Sequence, residues 1–296
     1  VYNYRMYSPP TPPQRICVVL NPKMPETRIE GEEIARCIEE LGLQVHLYSA
    51  VEDPQLAHCV STQRTDALIV LGGDGTMLRA GHLTAPYGIP VIGINLGRFG
   101  FLMEMRPGEW RERLPLLVQG KYWIEQRMML HAAHWRGEQC LGEWDVLNEV
   151  VVCRGMAVRP LRLTAVVDDE WQAVYIADGL IASAATGSTA YALAAGGPIL
   201  PPELRNILVV PVAPHLSVDR AIVLPEGAQV AMSAHTSHDA IFSVDGQKPI
   251  PLLEGDWVRV GVGPYSAHFI RFQDPGYFYR NLTKYMEKNP AAGGEL

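Results

Sequence analysis

Two short apolar runs, Ala67-Leu68-Ile69-Val70-Leu71 and Val91-Ile92-Gly93-Ile94, each break off into a glycine-rich turn, and this pairing limits the fold more than any other feature of the chain. A strand with one wet face alternates apolar with polar residues. These runs do not alternate, so they read as strands buried on both faces, as in parallel sheets covered by helices. Ile16-Cys17-Val18-Val19-Leu20 is a third such run, stopped by Asn21-Pro22. Residues 29–41 set Ile34, Cys37, Ile38 and Leu41 on one face at helical spacing, with charges opposite and Gly42 as a natural stop. Residues 45–48 read as a further strand, and another helix is expected from about Thr76. Strands alternating with helices predict an α/β N-terminal domain with a mostly parallel sheet. In such sheets ligands gather at the carboxyl ends of the strands, where both glycine turns lie.

After about residue 125 the period changes. Leu161, Leu163, Ala165 and Val167 alternate with outward residues, Asp168-Asp169-Glu170 turns the chain, and Val230, Met232 and Ala234 repeat the alternation. Asp245-Gly246, after residues 241–244, is a strong hairpin signal. This part is expected to form a β-rich C-terminal domain. Residues 277–286 return to helical spacing, with Phe278, Leu282, Tyr285 and Met286 as an apolar stripe, and predict a C-terminal helix returning to the first domain. The expected organisation is an extended Pro-rich arm over 1–14, an α/β phosphate-donor domain over 15–125 and 265–296, and a β-rich ligand-binding domain over 126–264.

A net charge of −7 argues against general affinity for nucleic acid or an anionic membrane, both of which need clustered Lys and Arg. It leaves room for a site that binds phosphate through backbone amides or a bound cation. The uncharged stretch 179–202 has the length of a membrane span, but it is built from Gly, Ala, Ser and Thr rather than Leu, Ile and Val. Cys17, Cys37, Cys59, Cys140 and Cys153 are scattered and form no C-x-x-C pair, as in a reducing compartment. No early apolar run resembles a signal peptide. A cytoplasmic protein without membrane or nucleic-acid partners is expected.

The sharpest chemical feature is Gly72-Gly73-Asp74-Gly75-Thr76, between a buried strand and a helix start. Glycines there admit positive φ and let N–H groups approach an anion closely. A helix start adds about half a positive charge. Gly72, Gly73, Gly75 and Thr76 are therefore candidates for a phosphate cradle. Leu78 stands where a Rossmann fingerprint needs its third glycine, and no Gly-Lys-Ser/Thr ending makes a P-loop. Asp74 is the informative member. A carboxylate in an anion cradle repels phosphate unless it faces a cation or has a proton to accept. It is thus a candidate to hold Mg²⁺ against phosphates or to act as general base on an attacking hydroxyl. A plain strand-to-helix turn capped by Asp is the structural alternative.

The second feature is Thr186-Gly187-Ser188-Thr189-Ala190-Tyr191, ahead of an expected small-residue helix over 190–195. A flat ligand or a phosphate would lie against such backbone; close helix packing accounts for the same residues. Asn148-Glu149, inside the apolar run 146–152, and Asp178-Gly179 add polar groups that need partners once buried. A ligand amide, ribose or adenine edge would suit them.

Together with Asn21-Pro22-Lys23, the stretch from Gly93 to Phe101, Gly196-Gly197-Pro198, Pro214-His215 and Asp245-Gly246-Gln247, these motifs fall in one order, and by that order the sequence resembles the NAD kinase family over most of its length. The Gly-Asp-Gly loop alone is shared with diacylglycerol, sphingosine and phosphofructo kinases; its combination with the Gly-Ser-Thr-Ala-Tyr stretch is highly specific. The resemblance implies transfer of the γ-phosphoryl group of ATP to the 2′-hydroxyl of NAD's adenosine ribose, giving NADP. It further implies Mg²⁺ or a similar divalent cation bound with ATP, and a homodimer or homotetramer. The base maps to Asp74. NAD contacts map to Phe101, Asn148, Glu149, Asp178, Thr189, Ala190 and Tyr191, and Thr186 and Ser188 of the hydroxyl-rich stretch complete the candidate set. Ala184-Ala185 stand where the family usually has Thr-Pro, which is expected to loosen the following loop. Ala177 replaces a common glycine, and residues 216–220 depart from the usual polar run after His215.

His131 with His134, and His235 with His238, look like metal pairs, but residues three apart on a strand face opposite ways and no shared ion is expected. Ser188 lacks the second glycine of a hydrolase elbow. Lys23 and Arg98 face either phosphates or water, and Asp245 serves either its turn or a ligand. A lipid kinase sharing the loop and a catalytically silent dinucleotide-binding protein remain as other readings.

Overall fold

The computed structural model describes residues 11–97, 100–157, 159–215, 220–235 and 239–287. Of the expected arm only 11–14 is described; Arg98, residues 216–219, His238 and the side chains of Tyr285 and Met286 lie outside the described residues. The chain forms two compact units, Val1–Gln126 with Ala267–Leu296, and Arg127–Ser266.

In the first unit β1 (Arg15–Val19), β2 (Gln44–Tyr48), β3 (Ala67–Gly72) and β4 (Val91–Asn95) lie parallel in the order β2–β1–β3–β4. Every residue of β3 and β4 is buried, which explains why neither alternates in sequence. The connecting helices are α1 (Glu26–Glu40), α2 (Pro54–Ser61), α3 (Asp74–Thr84) and, after β4, α4 (Trp110–Val118). Ile34 and Ile38 of α1 and Trp110 and Leu114 of α4 share a core with Ile16, Val18, Ile69 and Ile92. Each such side chain contributes roughly 1.5–3 kcal/mol on leaving water. Asp53 caps α2 by accepting from Gln55 N at 2.8 Å, with Pro54 at the first helical position.

The second unit is antiparallel. The chain runs through β5 (Trp123–Arg136), β6 (Gln139–Val146), β7 (Glu149–Arg154), β8 (Leu161–Val167), β9 (Trp171–Ala177), β10 (Gly179–Ala184) and the single turn α5 (Tyr191–Ala194). It continues through β11 (Asn206–Val212), β12 (Ile222–Pro225), β13 (Val230–His235), β14 (Ala240–Val244), β15 (Ile250–Leu252) and β16 (Asp256–Arg271). One sheet is ordered β12–β11–β10–β7–β14–β15, and the start of β16 continues a second ladder, β16–β13–β8–β9. Leu163, Tyr175 and Met232 from the ladder and Val150, Ala182 and Phe242 from the sheet form one buried core. Asp168 and Asp169 (φ +53° and +57°) turn β8 into β9, and Asp245 and Gly246 (φ +46° and +67°) turn the chain after β14, the left-handed pairs that tight hairpins require. The end of β16 belongs to the first unit, where Phe269 pairs with Val91, and α6 (Tyr277–Glu287) follows with Tyr277 and Phe278 buried. Among the described residues no helix is long and apolar enough to cross a membrane.

Candidate active site

The glycine loop is tighter than its sequence suggests. β3 runs buried to Gly72, Gly73 caps α3 in extended backbone (φ −131°, ψ −173°), and the helix begins at Asp74 rather than near Thr76. Gly72, Gly73 and Gly75 use no positive φ, contrary to expectation. Of the three, close packing requires glycine only at position 72. A Cβ on Gly72 would stand 2.7 Å from Thr76 Oγ1, whereas among the described residues one on Gly73 would meet nothing within 4 Å beyond its chain neighbours. Among the described residues nothing fills that side of the helix start, and the first-turn N–H groups of an α-helix lack intrahelical acceptors.

Asp74 is clamped. Phe101 N donates to its Oδ2 at 2.8 Å and Leu102 N to its Oδ1 at 3.1 Å. The carboxylate lies so close to Gly100 that any Cβ there would overlap it. Gly100 is thus a site residue that the motif contained but whose role no local pattern reveals. Phe101 serves Asp74 through its backbone; its ring packs against Phe278, with centroids 6.4 Å apart. Lys23 is exposed beside the Asn21 turn, where its N–H donates to Asn21 Oδ1 at 3.0 Å.

In the second unit the structure gathers Asn148, Glu149, Thr186, Ser188, Thr189, Ala190 and Tyr191. Asn148 lies in a bend between β6 and β7, not inside one strand as expected, because Asp245 draws three consecutive amides to it. Its carboxylate accepts from Leu147 N (2.8 Å), Asn148 N (2.8 Å) and Glu149 N (2.9 Å). Asp245 thereby does more than turn its hairpin. Asn148 O accepts from Ala184 N (2.8 Å) and Ser183 Oγ (3.0 Å), which fastens the bend to β10.

Glu149 is 7% exposed, and among the described residues neither its Oε2 nor the buried Thr186 Oγ1 has a hydrogen-bond partner. Burial, reinforced by the charge of Asp245 and opposed by the Tyr191 N–H, pushes the Glu149 carboxyl up to about 8. At neutral pH it is an acid that can donate a hydrogen bond. Glu149 Oε2 and Thr186 Oγ1 are both buried polar atoms of the kind that a ligand can satisfy.

The loop after β10 keeps the backbone that a proline would favour. Ala185 adopts φ −56°, the value a proline would impose. Ser188 is fully buried; its hydroxyl donates to Ala185 O at 2.7 Å and accepts from Leu200 N at 3.0 Å, so it braces the loop instead of presenting its oxygen. Thr189 Oγ1 donates to Thr186 O at 3.2 Å. The expected helix over 190–195 is only α5, because Ala190 leaves helical backbone (φ −104°, ψ −127°). Tyr191 is half-exposed; burial raises its hydroxyl pKa, and the charges of Cys153, Asp178 and Glu149 add to the shift. Asp178 occupies a bend between β9 and β10 and pairs with Arg154 Nε at 3.2 Å, a partner that sequence reading missed.

His131 and His134 part as expected, while His238, of the second pair, lies outside the described residues. His134 Nε2 lies 2.9 Å from the buried Asp256, while His131 faces Glu143 at 3.3 Å. Among the described residues no group of three His, Cys, Asp or Glu side chains has metal-holding geometry.

The profile of the ATP-NAD kinase N-terminal domain matches residues 16–122, and that of the ATP-NAD kinase C-terminal domain matches residues 147–272. The NAD kinase of Symbiobacterium thermophilum is 41% identical over 279 residues, covering 91% of this chain and 97% of that protein. The crystal structure of yeast NADH kinase complexed with NADH matches with a TM-score of 0.80 at 24% identity, over 94% of this chain and 89% of that one. That of an NAD kinase from Archaeoglobus fulgidus in complex with ATP matches with a TM-score of 0.74 at 23% identity, over 92% and 98%. At such identities the likeness to the two structures is one of fold.

Proposed function

The chain belongs to the ATP-NAD kinase family, and on that premise we propose that it transfers the γ-phosphoryl group of ATP to the 2′-hydroxyl of the adenosine ribose of NAD, releasing NADP and ADP. The observation that carries the reading is Asp74: a carboxylate at the start of α3, in an open glycine turn, held by two backbone amides. In this reading the donor's phosphates take the N–H groups at the start of α3, with Gly72, Gly73, Gly75 and Thr76 shaping the approach. Asp74 accepts the proton of the attacking hydroxyl as the new P–O bond forms and the bond to ADP breaks.

The second unit receives the dinucleotide. Protonated Glu149 donates to an acceptor on the ligand, the Thr186 hydroxyl and Asn148 side chain supply further polar contacts, and Tyr191 offers a half-exposed ring. Asp178, fixed by Arg154, adds an acceptor. A magnesium ion arriving with ATP needs only one or two protein carboxylates, and Asp74 is a hard oxygen ligand of the right kind. When bound, such an ion offsets negative charge on the transferring phosphate. The same reading has the enzyme working in the cytoplasm as a homodimer or homotetramer.

Purified protein incubated with NAD, ATP and magnesium, with NADP read by an NADP-specific dehydrogenase, tests the proposal. Steady NADP formation dependent on ATP is expected. Tight NADP binding without turnover would instead favour a silent binding protein.

A further inference from the structure

Against the segment that clamps Asp74 lies a buried charge cluster centred on Arg271. Arg271, at the end of β16, is fully buried. Its Nε and one terminal nitrogen donate to Glu125 Oε2 at 3.0 and 2.9 Å. Its other terminal nitrogen donates to Glu104 Oε2 at 3.2 Å and to the carbonyl of Leu102 at 3.1 Å. Glu125 is held in turn by the Tyr277 hydroxyl at 2.7 Å. Glu104 accepts from Phe272 N at 2.9 Å, and the Glu104 and Met105 amides both donate to Gly93 O at 3.1 Å. Burial opposes the charge on Arg271, but Glu125, Tyr277 and Glu104 outweigh it and hold the guanidinium pKa above its ordinary value.

We propose that Arg271 is a positioning residue for Asp74, acting through Leu102. The residue whose carbonyl Arg271 grips is the one whose N–H holds Asp74 Oδ1, and the neighbouring Phe101 N–H holds Oδ2. One prong of the planar fork is anchored on Glu125, so the other sets where Leu102 stands, and Leu102 sets the carboxylate. The Phe101 ring against Phe278 fixes the same segment from α6. A lysine would keep the charge, but a single ammonium cannot span Glu125 and Leu102 in that geometry. The inference rests on Asp74 being the base proposed above.

Steady-state kinetics on the full chain, comparing wild type, Arg271→Lys, Asp74→Asn and the double variant, tests it. Arg271→Lys should lower kcat about ten- to hundredfold, as a misplaced catalytic group does, with KM for NAD and ATP within about threefold. In the Asp74→Asn background the same substitution should change the residual kcat by less than about twofold, because effects that act through one group do not multiply. Wild-type kcat in Arg271→Lys, or an equal loss in both backgrounds, overturns the inference. Near-normal turnover in Asp74→Asn alone removes the base assignment itself and this inference with it, and is recognisable as such. If Arg271→Lys does not fold by gel filtration and circular dichroism, Tyr277→Phe replaces it in the cycle, since it removes the bond to Glu125 Oε1 while keeping the ring. A loss of about two- to fivefold that vanishes beside Asp74→Asn is then expected, and no loss, or a loss that persists there, overturns the inference.

Discussion

Glu149→Gln isolates the buried acid of the second unit. Burial and the charge of Asp245 raise the Glu149 carboxyl from its ordinary value of 4.5 to about 8. The unfolded chain sheds this proton near its ordinary value, so over the interval between the two the folded state holds a proton that the unfolded state lacks. The associated stability is whole below about pH 4.5 and is lost as pH rises toward about 8. At about 1.4 kcal/mol for each pH unit, and with the slope easing near the upper end, going from pH 6 to pH 8 removes about 2 kcal/mol. For a chain of this size that lowers Tm by roughly 4 °C. Glutamine keeps the shape of the protonated acid and cannot ionise. Scanning calorimetry of both proteins from pH 6 to pH 9 should therefore show the wild-type Tm falling away from that of the variant by about that amount. Parallel curves would refute the electrostatic argument.

Three further outcomes follow from the same contacts. Gly100→Ala drives a Cβ into the Asp74 carboxylate; kcat should drop about ten- to hundredfold while ATP binding measured by calorimetry stays near normal. Asp245→Ala strips three amides of their acceptor and should cost about 2–4 kcal/mol in urea unfolding. It should also move the Glu149 titration to lower pH, because a neighbouring negative charge is gone. Ser188→Ala leaves Leu200 N without its buried acceptor, and a loss of about 1–2 kcal/mol in the same unfolding assay is expected.

The parallel layer was legible because β3 and β4 are buried along their whole length, and buried strands leave unbroken apolar runs. The antiparallel half showed itself through alternation and through Asp168-Asp169 and Asp245-Gly246, residues that tolerate left-handed backbone. What local pattern hid was decided by distant partners. α4 carries Pro115 within it, which reads as a break until Trp110, Leu114 and Leu117 are seen packed in the core. The bend at Asn148 exists because an aspartate 97 positions later takes its amide. Arg271 and Glu125, 146 positions apart, carry no periodic signal that joins them. At the site the glycine loop was conspicuous, but its mechanics were not. None of the loop glycines takes left-handed backbone and only Gly72 lacks room for a side chain, while Ser188 faces inward, where it accepts from Leu200 N.

The most direct test is the turnover of Asp74→Asn in NADP formation from NAD and magnesium-ATP, measured beside the calorimetric affinity for ATP. Loss of a positioned base should cut kcat by about two to four orders of magnitude and leave the affinity within about threefold. Turnover close to wild type would contradict the account, since the carboxylate that the first unit clamps so firmly would then take no part in the chemistry.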